Sequence, residues 1–202
     1  MKVERYTGEG IRDVLSDLAR LRVTVFRDFP YLYEGSPEYE ASYLQTYLNT
    51  PESLAVVVPD GDRVVGASTA MPLSAETPDL QAPFQAGGYD VETIFYLAES
   101  VLQPEYRGRG LGITFFEERE AHARRLGRFR YAAFCAVQRP ENHPRRPEGY
   151  VPLDAFWQKR GYTKRLELST TLTWQDLDET AESPKPMTFW LKDLTRTAEE
   201  RR

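Results

Sequence analysis

The residues best suited to chemistry lie in one short run, Arg-Gly-Arg-Gly-Leu-Gly at positions 107–112. Glycine has no Cβ, so alternating glycines let the backbone approach a bulky ligand closely. The run follows an apolar, strand-like stretch at residues 94–102 and precedes Leu111–Leu126, where apolar residues recur at helical spacing. A helix N-terminus presents free N–H groups and the positive end of the helix dipole. With the charges of Arg107 and Arg109, the pattern predicts a pyrophosphate-binding site.

Glycine spacing separates three kinds of protein that build such a site. A dinucleotide-binding fold needs G-x-G-x-x-G and an acidic residue about 20 positions later, but Gly112 comes one position too early and residues 124–130 are rich in arginine. A P-loop nucleotide triphosphatase needs a Gly-Lys pair, which the sequence does not contain. The third pattern is Arg or Gln, two spacers, Gly, one spacer, then Gly or Ala, and Arg107, Gly110 and Gly112 match it.

With this third pattern the chain resembles the GNAT superfamily of acyl-CoA N-acyltransferases. Residues 102–108 resemble the lead-in to the family's CoA loop, and residues 130–137 resemble its next central strand. Residues 156–162 resemble its late helix, which ends in Gly followed by an aromatic residue. These pieces span residues 94–163 in the family's order, whereas the first 90 residues match only in general layout.

Hydrophobic periodicity predicts one domain over residues 1–202 with a mixed α/β fold. The predicted elements are a strand at residues 3–7, helices at 9–26 and 37–49, a hairpin at 54–58 and 63–71, a loop or broken helix at 72–88, a strand at 94–102, the helix Leu111–Leu126, a strand at Tyr131–Val137, a short helix at 154–160, and strands at 166–174 and 188–191. Four prolines make residues 138–152 irregular, and the charged end, residues 195–202, is expected to fray. The resemblance implies a mostly antiparallel central sheet with helices on both faces, a CoA site between two central strands and a CoA-binding core at residues 94–163.

The resemblance implies that acetyl-CoA is the co-substrate. Its pyrophosphate would lie against the N–H groups of Gly108, Arg109, Gly110, Leu111 and Gly112, with the side chains of Arg107 and Arg109 supplying charge. In the family the last residues of the preceding strand bind the pantetheine and help polarise the thioester. Those positions are Val101 and Leu102 in this chain.

Glu99 is the candidate general base. It lies two positions before Val101 in a strand where an apolar residue would be buried at no cost, and acidic side chains are rarely buried without a partner. Desolvation raises the pKa of a buried carboxyl group toward that of a useful base, and family members often carry a carboxylate in this strand. The alternative is a structural ion pair between Glu99 and a nearby arginine.

The chain differs from the family at the position of the general acid. Members commonly aim a tyrosine at the CoA sulfur from four residues before the late Gly, and that position is Trp157 here. An indole N–H cannot give up its proton at neutral pH. We consider Tyr150 the candidate acid, with His143 and Tyr96 as alternatives; each is also compatible with a structural role, and water can protonate a CoA thiolate.

An aromatic and acidic cluster between the first two helices supplies the candidate acceptor site. Its members are Phe29, Tyr31, Tyr33 and Glu34, and the family usually builds its substrate wall there. Aromatic faces and a carboxylate suit a small-molecule amine through cation–π and charge contacts. The alternative is that these aromatic residues fill the core.

The amino-acid composition excludes several kinds of partner and cofactor. The chain has 26 Lys and Arg against 31 Asp and Glu, which argues against a nucleic-acid partner. One cysteine excludes an internal disulfide and suits a reducing compartment, and two histidines with one cysteine give no ligand cluster, so no metal is expected. The N-terminus lacks the apolar core of a signal peptide, and no apolar run approaches the ~18 residues of a membrane span. A cytoplasmic protein with no membrane partner is the expectation.

These observations predict an N-acetyltransferase that moves an acetyl group from acetyl-CoA to a primary amine of a small molecule, by direct attack in a ternary complex. Two alternatives stay open: a non-catalytic acyl-CoA-binding or sensor domain, and an acyltransferase with a longer acyl donor or a hydroxyl acceptor. Apolar surface on the predicted strand at residues 166–174 would suit a homodimer. His122 is expected to pack against its neighbours or to make a structural hydrogen bond, and Cys135 to act as a small buried hydrophobe.

Overall fold

A computed structural model describes residues 1–195 as one mixed sheet flanked by helices. The strands are β1 (Glu4–Thr7), β2 (Leu54–Asp60), β3 (Arg63–Pro72), β4 (Ile94–Tyr96), β5 (Ser100–Leu102), β6 (Tyr131–Val137), β7 (Thr163–Trp174) and β8 (Ser183–Asp193). The α-helices are α1 (Leu15–Val25), α2 (Pro37–Leu48), α3 (Pro78–Ala86), α4 (Leu111–Leu126) and α5 (Asp154–Gln158). Apart from Thr195, the tail that was expected to fray lies outside the described residues.

The sheet order confirms the predicted fold class. The strands lie in the order β1-β2-β3-β4-β6-β8-β7, and β5 pairs with β3 beside this path. Each pairing between these strands is antiparallel except that of β4 with β6, which is parallel. The fold is therefore mixed α/β with a mostly antiparallel sheet.

Helices cover both faces of the sheet, as expected from the side-chain alternation of a strand. In β2, Ala55 and Val57 pack into a cluster with side chains of α1 and α2. Their neighbours Val56 and Val58 pack on the opposite face, with Phe115 of α4. A strand buried on both faces reads as a continuous apolar run, which is how residues 54–58 read in the sequence.

Two helices begin where the sequence predicts. In α2, the hydroxyl of Ser36 accepts a hydrogen bond from the N–H of Tyr39 at 3.2 Å, and Pro37 occupies the first turn. In α4, Gly110 is the N-cap with φ 82°, and Gly127 ends the helix with φ 77°. Both glycines adopt the left-handed conformation that other residues rarely take.

Two expectations about secondary structure were wrong in part. The predicted strand at residues 94–102 is broken into β4 and β5, because Ala98 and Glu99 both lie opposite Thr69. The N–H of Ala98 donates to the carbonyl of Thr69 at 3.1 Å, and the N–H of Thr69 donates to the carbonyl of Glu99 at 3.1 Å. An arrangement in which two residues of one strand lie opposite one residue of its partner is a β-bulge, and it bends the strand. The first predicted helix begins as a 3₁₀ helix at Gly8–Val14. Residues 72–88 contain a 3₁₀ turn at Leu73–Ala75 followed by α3, in agreement with the broken helix that was one of the two expectations for them.

The sheet ends in a strand that carries an exposed apolar side chain. β7 lies at the end of the strand order, and its Leu166 is 75% exposed. An edge strand offers unpaired backbone groups to a second chain, so the homodimer stays a prediction. Within residues 1–195, no helix is long and apolar enough to cross a membrane.

Candidate active site

The sheet has an opening between β5 and β6, because β4 pairs with β6 but β5, which follows it, does not. β4 runs parallel to β6 as far as Leu97, whose N–H donates to the carbonyl of Ala133 at 2.8 Å. Beyond the bulge, β5 pairs with β3 on one edge, and no strand within residues 1–195 pairs with its other edge. Unpaired backbone groups therefore line one side of the opening, where an extended ligand could hydrogen-bond as a strand does.

The register of β5 decides which backbone groups face the opening. Val101 lies opposite Ala67, and the flanking Glu99 and Gln103 both hydrogen-bond to β3. Because bonding alternates along an antiparallel strand, the backbone of Val101 is also directed at β3, whereas that of Leu102 faces the opening. Of the two residues expected to bind pantetheine, Leu102 is thus placed to offer its backbone N–H, while its carbonyl accepts a hydrogen bond from Arg107 at 3.2 Å. The Val101 side chain lies in the core at 1% exposure.

A buried arginine that the sequence analysis missed holds the bulge. The guanidinium of Arg119, 1% exposed, donates to the carbonyls of Thr69 at 3.3 Å and Glu99 at 3.0 Å and to the hydroxyl of Ser100 at 2.9 Å. Burial lowers its pKa to about 10, so it remains charged at neutral pH. The sequence signal that could have revealed Arg119 is its position four residues after Phe115, which places it on the apolar face of α4.

The glycine loop precedes α4 beside this opening. Gly108 and Gly110 have φ of 75° and 82°, and a Cβ built on either glycine would meet no atom within 4 Å. The space in front of the loop is therefore open. Leu111 and Gly112 lie in the first turn of α4, so their N–H groups have no acceptor within the helix and are free to bind an anion.

Both loop arginines lie at the surface and bind carbonyl groups nearby. Arg107 donates to the carbonyl of Leu102 at 3.2 Å and forms an ion pair with Asp28 at 3.2 Å. Arg109 donates to the carbonyl of Glu105 at 2.8 Å. These contacts keep two positive charges next to the N-terminus of α4, as a phosphate site requires.

A cavity of about 400 Å³ lies on the other side of the bulge. Its walls come from α1, α2, the β3–α3 connection, β4, the bulge and β7, and they are rich in aromatic rings. The aromatic lining residues are Phe26, Tyr31, Tyr33, Tyr39, Tyr43, Tyr96 and Trp174, and the charged ones are Arg22, Glu76, Asp79 and Glu99. A second cavity of about 230 Å³ shares Tyr33, Tyr39 and Trp174 with the first, so the two form one groove.

Glu99 lies in the wall of the large cavity and has an ion-pair partner. It is 7% exposed, and Nη1 of Arg22 lies 2.7 Å from its Oε2. Arg22 also pairs with the fully buried Glu40, and its guanidinium lies 4.5 Å from the ring centre of Tyr43. The Oε1 atom of Glu99 has no hydrogen-bond donor among the described residues. The carboxylate is therefore paired with an arginine on one oxygen and unsatisfied on the other, which fits both interpretations made from the sequence.

Arg22 was missed although the sequence carried a signal for it. It follows Leu18 by four residues and thus shares the buried face of α1. A charge on an apolar face predicts a buried partner. Its partners lie on α2 and on the bulge, 18 and 77 residues later in the chain, which no local pattern reveals.

Glu76 is a second buried carboxyl group in the cavity wall. It follows β3 directly after a short 3₁₀ turn and is 6% exposed. Burial raises its pKa to about 7. Its Oε2 accepts a hydrogen bond from the N–H of Thr77 at 3.3 Å, and Oε1 has no donor within residues 1–195. Nothing in the sequence pointed to Glu76, because residues 72–88 show neither periodicity nor a motif.

This shifted pKa predicts a change of stability with pH. The native pKa of about 7 lies above the unfolded value of 4.5, so the native state favours the protonated form. The resulting stabilisation is complete below pH 4.5 and is lost as the pH rises through 7, by roughly 3 kcal/mol. Glu76→Gln cannot ionise. Urea unfolding should therefore show the variant gaining stability relative to wild type between pH 4.5 and pH 8.

The exposed Glu9 provides a matched control. Glu9→Gln should differ from wild type by less than about 0.5 kcal/mol at both pH values. A difference between Glu76→Gln and wild type that is the same at pH 4.5 and pH 8 would show that Glu76 does not titrate in this range.

The predicted substrate residues are only partly brought together. Tyr31 and Tyr33 line the large cavity, and Glu34 lines the smaller one while paired with Arg27 at 2.8 Å. Phe29 is not among the lining residues of either cavity; its ring packs edge-on against Tyr150 at 4.7 Å.

Tyr150 likewise lies outside the cavity walls, in the irregular segment at residues 138–152. Burial raises its pKa, which makes it a weaker acid. His143 of the same segment contacts Phe29 with ring centres 5.6 Å apart, whereas Tyr96 lines the large cavity. The acid role of Tyr150 stays a prediction.

A buried charge network fixes the Tyr31 wall. Arg139 forms two hydrogen bonds to Asp176, at 2.7 and 2.8 Å, and donates to the carbonyl of Tyr31 at 2.8 Å. Trp174 donates to the same carbonyl from Nε1 at 3.0 Å. The loop after α1 is thus tied to β7, so the aromatic wall is held in place before any ligand enters.

Three further residues that the sequence singled out lie in buried or partly buried surroundings. Trp157 packs edge-on against Phe134 and Trp190, with ring centres 5.0 and 5.1 Å apart. His122 contacts the carbonyl of Glu52 through Nε2 at 3.0 Å, and burial lowers its pKa. Burial raises the pKa of Cys135 to about 12, so its thiol remains protonated and is a poor nucleophile. Within residues 1–195, no three His, Cys, Asp or Glu side chains are grouped to hold a metal ion.

Solved acetyltransferase structures share this fold. The ribosomal-protein-alanine N-acetyltransferase from Brucella melitensis aligns with a TM-score of 0.62 at 14% identity, over 96% of this chain and 99% of that one. The aminoglycoside 6'-acetyltransferase type Ii aligns with a TM-score of 0.58 at 16% identity, over 98% and 99%. An aminoglycoside 6'-N-acetyltransferase in complex with coenzyme A aligns with a TM-score of 0.56 at 18% identity, over 98% and 99%.

The sequence comparison identifies the family. No curated protein matches the chain in sequence, but the sequence model of the acetyltransferase (GNAT) family matches residues 18–162. That segment contains the bulge, the opening beside β5, the glycine loop, α4 and the Gly-Tyr pair at its end. The chain belongs to the GNAT family of acetyltransferases, whose donor is acetyl-CoA.

Proposed function

We propose that this acetyltransferase acts on a primary amine of a small molecule, by direct attack of the amine on the thioester of bound acetyl-CoA. One observation carries the proposal: Glu99 belongs both to the bulge that opens the sheet toward the glycine loop and to the wall of the acceptor cavity. A donor bound along β5 and an amine bound in the cavity would therefore meet at Glu99.

The reaction needs a base, a polarised carbonyl and a leaving thiolate. The amine enters as an ammonium ion and loses a proton to Glu99, directly or through water. The N–C bond then forms at the carbonyl carbon, the C–S bond breaks, and the nitrogen gives up its second proton, which reaches the thiolate through water or by way of Tyr150. A backbone N–H donor facing the opening from β5 would stabilise the negative charge that develops on the carbonyl oxygen. No covalent intermediate on the protein is required, in keeping with the protonated state of Cys135.

The glycine loop would hold the donor. The chain offers the free N–H groups of the first turn of α4, open space in front of Gly108 and Gly110, and the charges of Arg107 and Arg109. These features fit a pyrophosphate group.

Arg109→Glu is therefore expected to weaken CoA binding at least about tenfold, which corresponds to ~1.4 kcal/mol. The substitution replaces an attractive charge beside the phosphates with a repulsive one. Isothermal titration calorimetry with CoA measures the effect. Arg12→Glu, which makes the same charge change on the distant Gly8–Val14 helix, should bind like wild type; equal affinity of Arg109→Glu and wild type would remove the loop from the donor site.

Thermal unfolding with acetyl-CoA, CoA and NAD in parallel tests the donor site as a whole. A ligand at a hundredfold excess over its Kd stabilises the native state by about 2.7 kcal/mol. Acetyl-CoA and CoA should raise Tm, and NAD should not. The same shift with all three, or with none, would contradict the proposed donor site.

A further inference from the structure

The acceptor cavity carries more negative than positive charge. Arg22 is the only Lys or Arg among the described residues that line it, and its charge is already shared between Glu99 and the buried Glu40 behind it. Glu76 and Asp79 also line the cavity, and neither forms an ion pair with a described residue. Since Arg22 is matched within its own cluster, the remaining charge favours a cationic ligand.

Glu76 is a buried carboxyl group that the described residues leave poorly satisfied. It is 6% exposed, one oxygen accepts a 3.3 Å hydrogen bond from Thr77, and the other has no donor within the described part of the chain. A buried carboxylate without donors is destabilised, unless a ligand supplies both charge and hydrogen bonds. Glu76 comes from the β3–α3 connection and Glu99 from the bulge, so the two carboxyl groups reach one cavity from different elements.

The groups around Glu76 determine how readily it ionises and which ligand charge it favours. Glu99 disfavours and Arg22 favours its ionised form, Asp79 faces the cavity from α3, and Tyr43 and Tyr96 face it from α2 and β4. The aromatic rings add faces on which a cation binds favourably. A neutral second group would gain no charge attraction from this wall, and an anionic one would be repelled by its carboxylates.

We propose that the acceptor carries a second positive charge, as in a diamine or longer polyamine, and that Glu76 binds this second cationic group while the reacting amine lies at Glu99. The proposal rests on the proposed function, since it names the class of acceptor for that site. The groove continues into the second cavity, where Glu182 joins Tyr39 and Trp174. An extended cation longer than the first cavity therefore finds a further carboxylate along its path.

Binding of such a ligand should release a proton near neutral pH. Burial keeps Glu76 protonated up to about pH 7 in the free protein, and a cation beside it favours the ionised form. The preference for a diamine over the monoamine of equal length should thus be larger at pH 8 than at pH 6. A purely structural Glu76 would leave this ratio unchanged.

The test uses matched pairs of amines and the protein saturated with CoA. Calorimetry compares 1,4-diaminobutane with 1-aminobutane and 1,6-diaminohexane with 1-aminohexane, at pH 6 and pH 8. We expect at least one diamine to bind the wild type at least about tenfold more tightly than its monoamine at pH 8, with a smaller ratio at pH 6. In Glu76→Gln the ratio should fall to within about twofold at both pH values. Asp79→Asn, which removes a neighbouring carboxylate, should keep most of the preference.

The outcomes separate this proposal from the proposed function. Equal binding of each diamine and its monoamine to the wild type, a ratio that survives in Glu76→Gln, or a ratio lost only in Asp79→Asn would overturn the role of Glu76. A diamine that binds as expected but is never acetylated when acetyl-CoA replaces CoA would instead contradict the proposed reaction, and the binding role of Glu76 would stand.

Discussion

Arg22→Met is expected to lower the free energy of unfolding by about 4 kcal/mol. Arg22 joins two carboxylates, those of Glu40 and Glu99, which are 0% and 7% exposed. Methionine fills a similar volume but leaves both charges buried without a partner, and an uncompensated buried charge costs far more than a surface ion pair contributes. Urea unfolding at pH 7 measures the loss.

Arg27→Met is the matched control, because Arg27 follows α1 and pairs with Glu34 where both side chains are 40% or more exposed. That substitution should cost less than about 1 kcal/mol. If Arg22→Met and Arg27→Met are equally stable, the cluster of Arg22, Glu40 and Glu99 does not support the fold in the way described. The double variant Arg22→Met/Glu40→Gln should recover part of the loss, since it removes one of the two orphaned charges.

Glu99→Gln is expected to lower kcat at pH 7 by about a hundredfold or more. Glutamine keeps the shape and can still accept a hydrogen bond from Arg22, but it cannot take the ammonium proton. The affinity for acetyl-CoA should stay within about twofold of wild type, because the side chain lies on the acceptor side of the bulge. Steady-state rates over pH 6–9 with an acetylated amine provide the measurement.

The pH profile distinguishes a base from a structural carboxylate. Loss of the group that takes up the ammonium proton should change the dependence of kcat on pH, whereas Glu9→Gln, at an exposed position, should keep both the rate and the profile. An unchanged profile in Glu99→Gln would assign proton transfer to another group and contradict the proposed mechanism.

Local signals predicted much of the fold. The glycines at both ends set the bounds of α4 at Leu111–Leu126, and Ser36 with Pro37 set the start of α2. The prolines kept residues 138–152 irregular. Each of these features depends on the backbone preference of a residue or of its immediate neighbours, so the sequence alone determines it.

Features that depend on distant partners were not predictable in the same way. The break between β4 and β5 exists because two residues, Ala98 and Glu99, lie opposite Thr69, which is about thirty residues earlier in the chain. Arg119 of α4 then binds the buried carbonyls of Thr69 and Glu99. The glycine loop could be found from its own spacing, but the cavity proposed to bind the acceptor could not, because Arg22, Glu76 and Glu99 meet only in the folded chain. Charged residues on apolar faces, Arg22 in α1 and Arg119 in α4, were the signals that a sequence analysis could have used.

The proposed reaction is tested most directly by following both products at once. The protein is incubated with acetyl-CoA and a panel of primary amines, including the diamines and monoamines named above, while mass spectrometry measures the acetylated amine and a thiol assay measures free CoA. We predict equal amounts of the two products, dependence on both substrates, loss of both in Glu99→Gln and no acetyl group on the protein before the amine is added. Thiol release without an acetylated amine, or acetyl-CoA binding with no product from any amine, would contradict direct transfer to an amine.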